Sequence, residues 1–231
     1  MSTHAVSWPA AEPLWGRLAM LEPIPDSPPP NGTLPLSQLV RPLHRPEVFA
    51  GGWGGGPAGY DPDPRRFVDF LGSYLPPTGR PGVGFLVRLA APAQQPGAAN
   101  GVVVGTSSYL NLDAAGESVE IGCTAYDPSL WGTALNAQVK LLMLSHAFDA
   151  GFGRVVFNVD NLNTRSLGAM TRLGATREGV LRRHRPRADG TWRDTVVHSV
   201  LADEWLQVQR ALKERVATGP RILLPPDRDP N

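Results

Sequence analysis

Between Val119 and Ala175 the spacing of apolar and polar positions predicts a strand, a helix, a second strand and a second helix in that order. Val119, Ile121, Cys123 and Ala125 alternate with Glu120, Gly122, Thr124 and Tyr126, the period of a strand with one buried face and one usable face. Asp127 and Pro128 end it. From about Asn136 to Ala150, Leu141, Leu144 and Phe148 share one helical face, with Lys140 and Asp149 elsewhere and Gly151 where a left-handed cap is wanted. Arg154 to Asp160 alternates again, and the polar run Asn161 to Ser166 opens a helix that stops at Leu173-Gly174.

Elsewhere the same reading predicts an antiparallel meander leading into this unit. Leu14 to Leu21 forms a first strand with Trp15, Arg17, Ala19 and Leu21 on one face, and the proline-rich stretch from Pro23 to Pro35 is a connection. Leu36 to Phe49 holds a helix broken by Pro42 and Pro46, and Gly51 to Gly56 is a loop; no strand precedes it, which argues against a nucleotide fingerprint. Asp63 to Leu75 spaces Phe67, Phe70, Leu71 and Tyr74 as a helix does. Val83 to Leu89 and Val102 to Leu110 are strands joined by the loop 91–100, and a turn at Asp113 to Gly116 follows. Asp189-Gly190 marks a hairpin between Thr176 to Arg187 and Thr191 to Leu201, and Ala202 to Ala217 is a terminal helix. The organisation expected is a disordered segment 1–12, one domain over 13–217 and a tail over 218–231. In the tail, Ile222-Leu223-Leu224 packs on this chain or on a second subunit of a homodimer.

Composition narrows the function. With 231 residues the chain can bury one sizeable core, and a net charge of +1 gives no bulk attraction to nucleic acid or anionic membrane. A single cysteine precludes an internal disulfide and suits a reducing cytoplasm. Neither a signal peptide nor a membrane span is expected. The five histidines are dispersed, without metal-ligand spacing, and no Gly-x-Ser-x-Gly elbow is present.

The informative chemistry lies in Ser129-Leu130-Trp131-Gly132-Thr133-Ala134, small residues where a strand gives way to a helix. Free N–H groups and the helix dipole make such a turn an anion site. Gly132-x-Ala134 resembles the end of the pyrophosphate loop of the GNAT superfamily of N-acetyltransferases. A narrower resemblance, to the branch containing bacterial ribosomal-protein N-terminal acetyltransferases (RimJ/RimL-type), is carried by several motifs in one order: Trp131-Gly132-Thr133 with Asn136 and Lys140, Asn163-x-Arg165-Ser166, Leu173-Gly174-Ala175, Glu178-Gly179-x-Leu181-Arg182, and Asp189-Gly190-x-x-Arg193-Asp194. It covers about Leu14 to Trp205. Two departures stand out: Ser129 replaces the usual Gln or Arg, and Met170 stands where many members carry a tyrosine that reprotonates the leaving thiolate.

The resemblance implies an α/β fold with a mixed, mostly antiparallel sheet, a splayed strand pair at the cofactor site, and transfer of an acetyl group from acetyl-CoA to a primary amine by direct attack. It points to a protein or peptide N-terminal amine as acceptor; a small-molecule amine, or a catalytically silent CoA-binding module, are the alternatives. The cofactor residues it implies are Gly122, Cys123, Thr124, Trp131, Gly132, Thr133, Ala134, Leu135, Asn136, Asn163 and Ser166. Glu120, on the non-core phase of its strand, reads as general base or as a solvated or salt-bridged residue, Ser166 as proton donor or as helix cap, and Cys123 as neighbour of the thioester or as a structural thiol. Trp53 and Tyr60 contact the acceptor or anchor their loop. Arg177, Arg182, Arg183, Arg185, Arg187 and Arg193 are solvated hairpin charges, or they bind a CoA phosphate, an acidic acceptor or RNA; without aromatic interleaving, no direct nucleic-acid binding is expected.

Overall fold

The computed structural model describes residues 6, 10–28, 35–79, 81–90 and 101–220. Expectations for the rest of the N-terminal segment, for much of the proline run, for the loop 91–100 and for the Ile222-Leu223-Leu224 tail lie outside these residues. Among the described residues, eight strands form one sheet in the order β1-β2-β3-β4-β5-β6-β8-β7. They are β1 (Leu14–Trp15), β2 (Ala19–Pro23), β3 (Gly82–Leu89), β4 (Val103–Asp113), β5 (Ser118–Tyr126), β6 (Arg154–Asp160), β7 (Thr176–Pro186) and β8 (Trp192–Leu201). Every neighbouring pair is antiparallel except β5 and β6.

The expected first strand is instead a hairpin. Gly16 N–H donates to the Ala19 carbonyl at 3.0 Å, and folding back sets Leu14 against Leu21, burying both leucines. A single straight strand would have left one of them in water.

Helices cover both faces. On one side lie α1 (Val40–Leu43), α2 (Pro46–Ala50) and α3 (Pro64–Tyr74). Here Pro46 and Pro64 occupy the first turn, where a missing N–H costs nothing, and the Asp63 carboxylate accepts from Arg65 N–H at 2.8 Å as a cap. On the other side lie α4 (Leu135–Asp149), α5 (Thr164–Leu173) and α6 (Trp205–Thr218). Among the described residues no helix is long and apolar enough to cross a membrane.

Two expectations about the central unit change. Helix α4 is buried nearly all round rather than amphipathic: α6 packs on one side, Val139, Met143 and Leu144 are fully buried, and the polar Gln138 and Lys140 are buried against the β1–β2 turn and against β5. Burial of each large apolar side chain contributes about 1.5–3 kcal/mol. In β5 the alternation is interrupted. Cys123 has φ 50° and the register against β4 shifts between Thr106 and Ser108, a bulge that changes which face successive residues present. Val119 and Ile121 therefore join the core under α4, whereas Cys123 and Ala125 join the core under α1–α3.

Candidate active site

Strands β5 and β6 pair only from Ser118 opposite Arg154 to Glu120 opposite Val156. Beyond that they part, while β6 stays paired with β8 to its end. The facing edges then carry backbone groups with no ladder partner, which a buried segment leaves open only where something else will satisfy them. The fork opens into a cavity of about 330 Å³ that runs from the turn before α4 to the loop after α2.

The turn end leaves several backbone donors open. Asp127 accepts from both Ser129 N–H and Ser129 Oγ, at 2.9 and 2.8 Å, so the residue replacing Gln or Arg is held in a local cap. Gly132 has φ 78° and nothing within 4 Å of where a Cβ would lie. Leu135 N–H is taken by Thr133 Oγ1 at 3.3 Å. The N–H groups of Gly132, Ala134, Asn136 and Ala137 have no hydrogen-bond partner among the described residues. Trp131, Gly132, Thr133 and Asn136 line the cavity, but Ala134 and Leu135 are buried behind it; of the expected cofactor residues these two offer at most backbone.

Positive charge at this end comes from helices rather than from the hairpin. Arg165, Arg172 and Arg215 line the cavity. The Arg165 guanidinium stacks 3.4 Å from the Trp131 ring centre, and Arg215 donates to the Arg172 carbonyl at 3.0 Å. Burial, and then repulsion from Arg172, lowers the Arg215 pKa, as expected of cations gathered without counter-ions among the described residues. Of the hairpin arginines only Arg193 reaches the cavity. Arg187 instead closes a buried ion pair with Asp160 at 2.9 Å, a structural use.

At the fork, Gly122, Cys123 and Thr124 line the wall. Glu120 stands one step behind it: the residue is 7% exposed, so it is not the solvated position that its strand phase predicts. Its Oε2 accepts from Asn111 Nδ2 on β4 at 2.7 Å and from Asn158 Nδ2 on β6 at 2.8 Å, and Oε1 lies 3.2 Å from the Cβ site of Gly122. Asn163 and Ser166 both line the cavity. Asn163 is the α5 cap, its Oδ1 accepting from Ser166 N–H at 2.9 Å, so its amide NH₂ is what remains for a ligand. Met170 is buried in the same wall and brings no proton.

The far end is aromatic. Trp53 and Tyr74 line the cavity with ring centres 5.3 Å apart. Tyr60 does not reach it; the ring stacks on His44 at 5.3 Å and meets Phe49 edge-on at 5.5 Å, anchoring the loop. Sequence reasoning missed Lys140, Phe157 and Arg172 as cavity residues. For Arg172 a signal existed, since Arg165, Ala169 and Arg172 repeat on one face of α5.

A family model for an acetyltransferase (GNAT) domain matches residues 41–176. A solved structure assigned as an acetyltransferase is 31% identical, with 91% of this chain and 96% of that one covered and a TM-score of 0.73. RimJ of Mycobacterium smegmatis, solved in complex with CoA-disulfide, is 20% identical over 90% of this chain and 95% of its own, with a TM-score of 0.58. The ribosomal-protein-S5-alanine acetyltransferase of Vibrio fischeri is 16% identical over 84% and 98%, with a TM-score of 0.54; at such identities these two likenesses bear on the fold alone. No curated protein sequence matches the chain. The forked strands, the open turn before α4 and these matches together make the chain a member of the GNAT family of acetyltransferases, enzymes that use acetyl-CoA to acetylate amines.

Proposed function

We propose that this enzyme acetylates the N-terminal amine of a protein or peptide in the cytoplasm, by direct attack of the amine. The observation that carries the reading is the fork between β5 and β6, continuous with a cavity that has cationic groups at one end and aromatic walls at the other. Acetyl-CoA, when bound, supplies the acetyl group as a thioester. Free N–H groups around Gly132 and Asn136, with Arg172 and Arg215, hold its phosphates. The Asn163 NH₂ pairs with an amide carbonyl of the pantetheine arm. Backbone along Gly122 to Thr124 orients and polarises the carbonyl, and that positioning supplies much of the rate. Glu120, behind Gly122, takes the amine proton through water. Ser166 donates a hydrogen bond to the departing sulfur.

The acceptor class rests on the branch motifs and on the neighbours' names, since RimJ and the S5-alanine enzyme share this fold. Trp53 and Tyr74 would flank an extended N-terminus entering between the loop after α2 and the β7–β8 hairpin. Thiol release from acetyl-CoA tests this with matched peptides carrying free or blocked α-amines and with small polyamines. Turnover confined to free α-amines is expected. Turnover on small amines alone would replace the acceptor, and binding of acetyl-CoA without turnover on any amine would mean a silent module.

A further inference from the structure

A buried lysine loses the hydration of its ammonium group and ordinarily has a carboxylate beside it. Lys140 is 3% exposed and forms no ion pair among the described residues. Its Nζ donates to Thr124 Oγ1 at 3.0 Å and stands 5.6 Å from the Phe157 ring centre. Thr124 follows the bulge in β5, and Phe157 is the first β6 residue past the paired stretch, so the side chain rises from α4 into the crotch of the fork. It lines the same cavity as Gly122 and Cys123. Thr124 Oγ1 is already bonded to Ser107 Oγ at 2.8 Å, and the other N–H positions of Lys140 have no partner among the described residues. Ser107, Thr124 and Phe157, which surround it from β4, β5 and β6, carry no charge. The phenol of Tyr126 is engaged by Asn136 at 3.1 Å, and burial pushes its pKa up.

Sulfur leaves in this cavity without the tyrosine that many members place at Met170; of the phenols lining it, Tyr126 is bonded to Asn136 and Tyr74 stands at the far end beside Trp53. Met170 has no proton to give, and a serine hydroxyl is far too weak an acid to protonate a thiolate whose thiol titrates near about 8.5. We propose that Lys140 is the acid of the reaction, its ammonium proton passing to the CoA sulfur as the carbon–sulfur bond breaks. The inference rests on the acetyl-transfer reading of the same site. The acceptor nitrogen forms the new bond to the acetyl carbon, and its proton goes through water to Glu120. The carbon–sulfur electron pair departs on sulfur, sulfur takes the Lys140 proton, Glu120 gives its proton up through water to solvent, and the neutral lysine recovers one. Nothing is oxidised or reduced. Burial alone pulls the Lys140 pKa down to about 7, below that of an ordinary thiol at about 8.5, so the transfer runs downhill. The developing thiolate is also the negative partner that the buried ammonium lacks.

The test compares wild type with Lys140→Met and Lys140→Arg by calorimetry with acetyl-CoA and by thiol release with an accepted amine from about pH 6 to about pH 9. Methionine keeps the apolar stem, and arginine keeps the charge but not the transferable proton. Both variants are expected to bind acetyl-CoA within about threefold of wild type while kcat falls roughly a hundredfold near pH 6.5. The wild-type kcat declines above about pH 7 as Lys140 deprotonates, and that limb is missing in both variants. The role is overturned if Lys140→Met keeps the wild-type kcat, if arginine restores it, or if kcat drops with the pH limb unchanged. A wild type that binds acetyl-CoA but acetylates no amine overturns the acetyl-transfer reading itself, and this role with it.

Discussion

Strand β6 has a neighbour on each side and meets them differently. Against β8 it holds register from Arg154 opposite Leu201 to Asp160 opposite Thr195. Against β5 it pairs as far as Val156 and then separates. The same β6 backbone serves both seams, so the difference must come from the partners. β8 has no positive-φ residue, whereas β5 carries the bulge at Cys123. A bulge bends and twists the strand that holds it, and here it turns β5 away just past Glu120. Glu120 bridges Asn111 and Asn158 at that point, tying three strands together where two of them part. The lesson is that the gap belongs to the backbone of β5 and that its edges are fixed by side chains which also border the chemistry.

The largest effect is expected where the open seam meets α4. Gly132→Glu places a carboxylate at the positive end of a helix, on a residue with φ 78°. Strain from the backbone and repulsion of the diphosphate act together, and acetyl-CoA affinity should fall by at least about a hundredfold. Because the Cβ site is otherwise open, the melting temperature should fall only by the several degrees that about 1–2 kcal/mol of backbone strain costs. Calorimetry and a thermal scan together separate a blocked ligand from a damaged fold.

Glu120→Gln cuts next deepest. A glutamine oxygen can still accept from the two asparagine amides, so the tie at the fork survives while the basic carboxylate is lost. Turnover should drop roughly a hundredfold, with acetyl-CoA affinity within about twofold. An unchanged rate across the pH range would leave Glu120 as a purely structural tie. A milder change follows from the cations at the mouth: Arg172→Ala and Arg215→Ala should each weaken acetyl-CoA binding about tenfold, and less at high salt. Equal loss at all salt concentrations would mean that these residues act through packing.

The closed seam was legible in the sequence and the open one only in part. The β7–β8 hairpin follows from Asp189-Gly190, and Gly190 does take φ 80°. Asp63, Asn163 and Gly174 announce helix ends because a cap needs one side chain or one glycine at one position. The turn before α4 was readable for the same reason. The bulge was not: it depends on how Cys123 meets the Ser107 region of β4, and the apolar alternation runs straight through it. Lys140 was misplaced because helical periodicity assigns a face without saying what covers it, and the face that holds the lysine meets Thr124 and Phe157 on the sheet. The far end of the cavity draws on Trp53, Tyr74 and Arg193, which are distant in the chain and brought together only by the folded sheet. No local spacing could have joined them or set Tyr60 aside.

The last expected effect is on stability rather than affinity, at the open seam in the absence of any ligand. Lys140 titrates at about 7 in the folded protein and near about 10.4 in an unfolded chain. Below the lower value both states carry the proton, and the cost of burying the charge is present in full. Between the two values the unfolded chain binds more protons, so stability rises with pH by roughly 1 kcal/mol per unit. This is opposite in sense to a lysine held by a carboxylate. Lys140→Met removes the term: near pH 7 the variant should be more stable than wild type, and the gap should close as pH approaches about 10. Denaturant unfolding of both proteins at several pH values measures the slope difference. Parallel stability curves would mean that the amine keeps its ordinary pKa in the folded protein, and that the fork holds no buried charge for a ligand to meet.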